Sequence, residues 1–174
     1  MQRPAKSEHV DYFSRYIDLV PDGDVLETLA TQIDETQALL ASVPAERENY
    51  SYAPGKWSIR EVVGHLIDTE RVFMLRALWF ARAGGGELPS MEQDEWADAS
   101  NAGERPLAEL REEWVRLRAD TLALLRGFPD EAWSRVGVAS GKPMSVRACA
   151  WNIAGHELWH RRGLQRDYGI GAGA

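Results

Sequence analysis

Hydrophobic residues recur at steps of three and four in four long segments, which is the period of a helix with one buried face. These segments cover residues 24–42, 58–83, 106–128 and 145 to about 169. Each alternates with polar positions, and the connections between them are short to moderate. The pattern predicts an all-α fold, an up-down four-helix bundle.

Start signals support these boundaries. Asp24 follows a turn and can cap the first helix, and Ser58-Ile59-Arg60-Glu61 is the S-x-x-E capping box before an apolar run. Pro106 suits a first helical position, and Ser145 can cap the last helix. The sequence thus predicts both the number of long helices and where they begin.

The helical segments define one domain, residues 22–168, with an appendage at each end. Residues 1–21 are predicted to be an irregular arm that packs on the bundle through its aromatic side chains, and His9 within it is interpreted as solvated. Residues 169–174 are predicted to be a flexible tail. The polar stretch 84–105 has two interpretations, a lid that folds over a pocket or a disordered loop.

Composition excludes several classes of function. The 174 residues carry a formal net charge of −7, and the Lys and Arg residues are dispersed, so nucleic acid is not expected as a partner. No apolar run of membrane-spanning length and no secretory signal occur, so no membrane association is predicted. The single cysteine, Cys149, is interpreted as a buried structural residue and fits a cytoplasmic location.

Candidate chemistry centres on His156 and His160, which lie four residues apart and continue the hydrophobic stripe of the last helix. That spacing places both imidazoles on one helix face, where they can share a divalent metal ion. His65, at the edge of the hydrophobic face of the second helix, is the candidate third ligand. Three imidazoles with an open position are typical of a catalytic site and suit zinc, nickel, copper or iron. The competing hypothesis is a metal-free bundle with hydrogen-bonded core histidines.

Two rival motifs overlap the same segment. His156-Glu157-Leu158-Trp159-His160 has the H-E-x-x-H form of zinc peptidases, but Asp167 is the sole nearby carboxylate downstream that could complete such a site. The E-x-x-H pattern of di-iron bundles needs a second copy, and Glu61 lies four residues before His65 instead of three. Neither motif is favoured.

Two acids near the histidines have open roles. Asp68, one turn after His65, either orients an imidazole or pairs at the surface with a neighbouring arginine, Arg71 or Arg60. Glu157 is a candidate proton shuttle, although it projects about 100° away from His156 around the helix. The catalytic residues beyond the metal ligands are not assigned.

The chain resembles the DinB-like superfamily of four-helix metal-binding proteins. The resemblance runs from Tyr16 to Tyr168 and is carried by three segments, residues 16–21 (YIDLVP), 57–66 (WSIREVVGHL) and 153–160 (IAGHELWH). In that family a histidine of the second helix and an H-x3-H pair of the last helix bind a divalent metal. The resemblance therefore implies His65, His156 and His160 as ligands of one divalent transition metal, with zinc or nickel favoured and iron or manganese as alternatives.

The resemblance also implies an activity. Some relatives are transferases that use a low-molecular-weight thiol such as bacillithiol or mycothiol, and one related bundle is a thiol-dependent maleylpyruvate isomerase. The leading prediction is a metal-dependent transferase that acts on a small thiol and an electrophilic substrate, in stress or xenobiotic metabolism. A metal-dependent hydrolase and a non-enzymatic metal-binding, stress-response bundle are the alternatives. Surface tryptophans such as Trp79 leave a homodimer open.

Overall fold

The computed structural model describes residues 1–82 and 86–171. Four long helices build the body of the molecule, so the predicted all-α class and four-helix bundle are confirmed. Among the described residues, no helix combines the length and apolar character needed to cross a membrane. In chain order the elements are α1 (Asp11–Ile17), α2 (Val25–Ala41), α3 (Ile59–Ala81), α4 (Gln93–Ala99), α5 (Leu107–Arg126), the strands β1 (Val136–Ala139) and β2 (Lys142–Ser145), and α6 (Val146–Arg166).

The predicted capping residues stand at the helix starts. The Asp24 carboxylate accepts a 3.0 Å hydrogen bond from the backbone N–H two residues on. Ser58 and Glu61 form a complete capping box, in which the Glu61 carboxylate accepts from the Ser58 N–H at 2.7 Å. The Ser145 hydroxyl accepts from the N–H three residues on at 3.0 Å. Local hydrogen bonding thus sets the start of α2, α3 and α6.

The order of helix directions differs from the up-down prediction. Helix α2 packs on α5 and α6, and α3 packs on the same two helices, so α2 lies diagonally across the bundle from α3, and α5 lies diagonally across it from α6. Glu70 meets Arg118 while Met74 meets Thr121, which shows that α3 and α5 run parallel. Two consecutive parallel helices require the chain to return along the bundle between them. The long connection after α3 makes that return.

This connection is ordered where it is described. It contains α4 and runs beside the β1–β2 hairpin, where the Leu88 N–H donates to Val138 O and the Ser140 N–H donates to Leu88 O, each at 3.0 Å. Residues 84–105 were interpreted either as a lid that folds over a pocket or as a disordered loop. Residues 86–105 are ordered and pack on the body of the molecule, which fits the first interpretation. The helix stop predicted at Gly84 and Gly85 lies outside the described residues.

Residues Asp11–Ile17 of the N-terminal segment form a helix, which differs from the irregular structure predicted there. Tyr16 and Ile17 of α1 are buried against α6. The contact is close because α6 presents a glycine: a Cβ at Gly155 would lie 2.1 Å from the Tyr16 carbonyl oxygen. A short apolar sequence thus becomes helical by packing on a longer helix, which local periodicity does not reveal.

The two chain ends pack more closely than predicted. His9 is only 8% exposed, so its interpretation as solvated was wrong; the turn Lys6–Glu8 before it packs against β2. At the other end, Ile170 is buried and its N–H donates to Leu164 O at 3.2 Å. Residues 172–174 of the predicted flexible tail lie outside the described residues.

A polar layer divides the hydrophobic core into two clusters. One cluster contains Phe73 and Trp151 with the hairpin side of the bundle, and the other contains Leu66 and Trp114. The layer between them consists of Gln32, Thr36, Glu70, Arg118 and Glu157, all buried.

Candidate metal site

The three histidines predicted as ligands come together between α3 and α6. His65 Nε2 and His160 Nε2 each lie 3.1 Å from His156 Nε2. One ligand nitrogen from each ring falls within 4.8 Å of the others. His65 and His156 are buried, and His160 is half-buried. The side chains therefore converge on one point at the edge of the core.

A glycine before a histidine lets a neighbouring segment approach on both helices. Gly155 admits the α1 backbone, which sets the Tyr16 ring perpendicular to the His156 ring with centroids 5.3 Å apart. Gly64 admits the connection after α4, where a Cβ would lie 2.5 Å from the Ala102 Cβ. These close approaches cover the cluster from two sides.

The distances fit a shared metal ion better than hydrogen bonding alone. A neutral imidazole nitrogen carries either one proton or one lone pair, so His156 Nε2 cannot make well-formed hydrogen bonds to both neighbours at once. Zinc–nitrogen bonds of about 2.0–2.1 Å in a tetrahedron place ligand nitrogens about 3.3 Å apart. No carboxylate or thiol in the described part of the chain completes the group. The donor set thus fits three ligands and one open position.

The histidines are held in the neutral form that binds metals. Burial lowers the pKa of His65 to about 4. Burial and the nearby His65 lower the pKa of His160 to about 3, and burial with both neighbours lowers the pKa of His156 well below its ordinary value. All three rings therefore offer lone pairs at neutral pH without first losing a proton.

Two clefts reach the cluster from different sides. The first has a volume of about 380 Å³ and is bordered by His65 and His156. The second, of about 490 Å³, is bordered by His160 and Trp159. Gln93 of α4 lines both. Within the stretch that was interpreted as a lid or a loop, Met91 lines the first cleft, whereas Trp96 is exposed.

Asp68 and Glu157, the two acids whose roles were left open by the sequence, do not contact the imidazoles. Asp68 pairs with Arg71 at 3.5 Å, which is the surface alternative. The group that faces His65 Nδ1 is instead the Thr69 hydroxyl, at 3.5 Å. Cys149 is fully buried, and burial raises its pKa to about 12, as suits a structural cysteine. The His65 ring also packs against the Trp57 ring, with a distance of 4.6 Å between the ring centroids.

Glu157 belongs to the core and not to the histidine cluster. It is 1% exposed, and its carboxylate accepts from Thr36 Oγ1 at 2.6 Å, from Arg118 Nη2 at 2.7 Å and from Gln32 Nε2. A carboxylate so enclosed cannot act as the general base of an H-E-x-x-H peptidase, which needs to reach the metal. The geometry also gives no support to a proton shuttle at this position.

Glu157 belongs to a buried network of charges that was not predicted from the sequence. Arg118 pairs with Glu70 through two 2.8 Å contacts and also with Glu157, and Trp114 Nε1 donates to Glu70 at 2.8 Å. A signal was present, because Arg118 lies four residues after Trp114 on the hydrophobic stripe of α5. A charge at a stripe position indicates a buried partner.

Comparison with known proteins gives a consistent picture. A protein of Geobacillus thermodenitrificans that carries the name "Putative metal-dependent hydrolase" is 30% identical to this chain over 74 residues. The match covers 42% of this chain and 42% of that protein. The structure of YfiT from Bacillus subtilis, described as a probable metal-dependent hydrolase with an unusual four-helix bundle topology, matches with a TM-score of 0.69 and 18% identity, covering 96% of this chain and 93% of YfiT. The mycothiol-dependent maleylpyruvate isomerase matches with a TM-score of 0.69 and 16% identity, covering 89% of this chain and 63% of the isomerase.

The structural neighbours share the fold at low identity, and the match to the Geobacillus protein spans less than half of that protein's length. The match to a family model covers more of this chain than the match to the Geobacillus protein does. The family model of the DinB superfamily matches residues 28–163, which include all three histidines of the cluster. The chain belongs to the DinB superfamily.

Proposed function

We propose that this protein is a metal-dependent enzyme in which His65, His156 and His160 hold one divalent transition metal ion, zinc or nickel. The reaction we propose is transfer of a small electrophilic group to the sulfur of a low-molecular-weight thiol: a bond forms between the sulfur and an electrophilic carbon as the bond from that carbon to its leaving group breaks. The leaving group departs with the electron pair of the broken bond, and the thiol proton passes to solvent. The observation that carries the proposal is the convergence of three neutral imidazoles, two of which border one cleft and the third of which borders another.

The bound metal would supply Lewis acidity, which favours the thiolate form of a thiol at neutral pH. The residues of the chain do the rest. Thr69 contacts His65 Nδ1 and so orients that ring. The Tyr16 and Trp57 rings pack against His156 and His65 and limit the access of water to the imidazoles. The site is thereby built before any ligand arrives, which lowers the cost of ordering it.

The pair of clefts favours a reaction of two molecules. A thiol and an electrophile must reach the same point together, and separate approaches allow both to be bound at once. The first cleft ends at His65 and His156, and the second ends at His160. The mycothiol dependence of a structural neighbour is in keeping with this proposal.

A metal-dependent hydrolase is the second candidate, because the names of the Geobacillus relative and of YfiT point to hydrolysis. Hydrolysis needs one organic substrate and water, so it would leave one cleft without a reactant. The non-enzymatic metal-binding bundle is disfavoured by the open approaches, since structural metal sites are closed by protein ligands.

Cobalt substitution separates these candidates. The protein loaded with Co²⁺ should give the visible bands of a tetrahedral site, and added cysteine or dithiothreitol should produce an intense sulfur-to-cobalt charge-transfer band. The transferase proposal expects this band together with thiol-dependent consumption of an electrophile such as chlorodinitrobenzene. Hydrolysis of nitrophenyl esters without thiol, and no sulfur band, would favour the hydrolase. No spectral response to either reactant would contradict both.

Three further expectations from the sequence stay predictions. Trp79 is 40% exposed on α3, which suits a contact surface for a homodimer. The cytoplasmic location was expected from the single cysteine, and the role in stress or xenobiotic metabolism was expected from the family resemblance. Analytical ultracentrifugation of wild type and Trp79→Ser measures the first directly.

A further inference from the structure

The first cleft contains a buried cation without an acidic partner. Arg76 of α3 is 6% exposed, and its Nη2 donates to Pro89 O at 3.3 Å and to Ser140 Oγ at 3.2 Å. Within residues 1–82 and 86–171, no carboxylate lies within 4.0 Å of its guanidinium, and Nε and Nη1 make no hydrogen bond. The other buried arginine among the described residues, Arg118, pairs with two carboxylates.

A second polar side chain in the same wall also lacks partners. Asn152 of α6 is 1% exposed and lines the cleft one turn before His156. Its amide makes no hydrogen bond in the described part of the chain, and Oδ1 is fully enclosed. A buried amide without hydrogen bonds costs free energy unless a ligand or water supplies them.

The remaining charges of the wall favour an anion. Lys142 lines the cleft, with Nζ 5.7 Å from the centroid of the Tyr12 ring. The one carboxylate in the wall, Glu92, is exposed and accepts a hydrogen bond from Ser90. His65 and His156 are neutral, so the wall contains two cations and one exposed carboxylate.

Ser140 and Arg76 line the same end of the first cleft, and the backbone of Ser140 has an unusual conformation. It has a φ of +55° in the β1–β2 turn, a region that non-glycine residues seldom occupy, and its hydroxyl accepts from Arg76. Ser140 and Gly141 are the two central residues of this hairpin turn, and a two-residue turn of type I′ requires a positive φ at both. The contact fixes the guanidinium while leaving two of its nitrogens free.

We propose that this end of the first cleft is a subsite for an anionic group, a carboxylate or phosphate, of a reactant. Arg76 pairs with the anion through its free nitrogens, and Asn152 and Lys142 line the path to it. The subsite deepens the proposed function, on which its link to the metal rests, by assigning charge to one of the two reactants.

The position of the subsite sets the shape of the ligand. Arg76 follows His65 by eleven residues, a rise of about 16 Å along the helix. Long side chains on helices lean towards the N-terminus, which brings the guanidinium back towards the histidines. Thr69 and Phe73 line the cleft between them. The ligand is therefore elongated, with its anionic group at the end remote from the metal-bound atom.

The test compares ligands that differ only in charge. Titration calorimetry on zinc-loaded protein would use mercaptohexanoate and the uncharged mercaptohexanol, and thermal-shift titration of metal-free protein would use hexanoate and inorganic phosphate. We expect the wild type to bind mercaptohexanoate at least tenfold tighter than mercaptohexanol, and Arg76→Met to lose that preference. Arg82→Met is the matched control, because Arg82 is exposed at the end of the same helix and outside the cleft; it should keep the preference.

Stability distinguishes a binding role from a structural one. Removing a buried cation without an acidic partner should leave the thermal midpoint of Arg76→Met equal to or above that of wild type. A lower midpoint with unchanged preference for the acid would show that Arg76 only ties Pro89 and Ser140 to α3, and would overturn the proposal. Equal wild-type affinity for the acid and the alcohol would also overturn it.

The metal-free arm separates this inference from the proposed function. Arg76-dependent stabilisation by hexanoate or phosphate alone would support the subsite even if the protein bound no zinc. Stabilisation by hexanoate alone would assign the anion to the electrophile as readily as to the thiol, and a stronger preference with mercaptohexanoate would assign it to the thiol. Binding of zinc without any anion preference would leave the metal proposal intact and refute the subsite.

Discussion

The histidine cluster and the Glu70–Arg118–Glu157 network are both buried polar groups that join α3 to α6, yet they differ in what they leave unsatisfied. In the network each charge faces an opposite charge at 2.7–2.8 Å, and the side chains are at most 2% exposed. In the cluster three neutral rings point their Nε2 atoms towards one another, and no carboxylate or thiol among the described residues completes the group. The first arrangement is closed and the second is open.

The difference separates a structural role from a ligand-binding role. A buried ion pair whose hydrogen bonds are complete has no capacity for a ligand, and removing one member leaves a buried charge behind. A neutral imidazole nitrogen offers either one proton or one lone pair, so three converging nitrogens cannot all be paired with one another, and a metal cation that accepts their lone pairs completes the group. Adjacent residues, His156 and Glu157, supply the two arrangements because they project from different faces of one helix.

Loss of the central cation should have the largest effect. Arg118→Met leaves Glu70 and Glu157 buried and unpaired, and we expect a loss of about 3–5 kcal/mol in the free energy of unfolding. Urea denaturation monitored by tryptophan fluorescence measures it. Arg116→Met on the exposed face of α5 is the control and should change stability by less than about 0.5 kcal/mol. Equal effects in the two variants would show that the network does not stabilise the fold.

A smaller loss is expected when one hydrogen bond to the network is removed. Thr36→Val deletes the 2.6 Å bond to Glu157 Oε1 while keeping the shape of the side chain. Hydrogen bonds to charged groups contribute about 1.5–3 kcal/mol. Thr31→Val, which removes an exposed hydroxyl on the same helix, should cost much less. Metal content should be unchanged in both, and a loss of metal in Thr36→Val would show that the two regions are coupled.

The packing of α1 on α6 should affect both the stability of the fold and the binding of metal at the histidine cluster. A Cβ at Gly155 would lie 2.1 Å from Tyr16 O, so Gly155→Ala displaces α1 and should cost about 1–3 kcal/mol while weakening metal binding. Gly163→Ala is the matched control, because that glycine lies on the same helix without such a contact. It should be stabilising by up to about 1 kcal/mol through helix propensity. The same sign in both variants would contradict the close approach.

Much of the bundle could be predicted because its signals are local. Capping residues and hydrophobic periodicity placed the long helices within a few residues of their observed ends, and the spacing of His156 and His160 indicated a shared face. The third histidine, His65, was predicted from the edge of a stripe and from the family resemblance. The structure brings these three rings together.

The features that escaped prediction depend on contacts between distant segments. Helix α1 is short and becomes stable only against Gly155, and the parallel course of α3 and α5 has no local signature. The charge of Arg118 on a hydrophobic stripe carried information, but its partners are 39 and 48 residues away in the sequence. Only the assembled fold shows which groups are paired.

Metal content tests the central claim most directly. Elemental mass spectrometry on protein purified without an affinity tag would compare wild type with His65→Ala and His160→Ala, and with His9→Ala as a buried histidine outside the cluster. We expect about one zinc or nickel ion per chain in wild type and His9→Ala, and its loss in the other two variants. No metal in the wild type after incubation with excess zinc and nickel, or retention of the ion in both cluster variants, would contradict the three-histidine site.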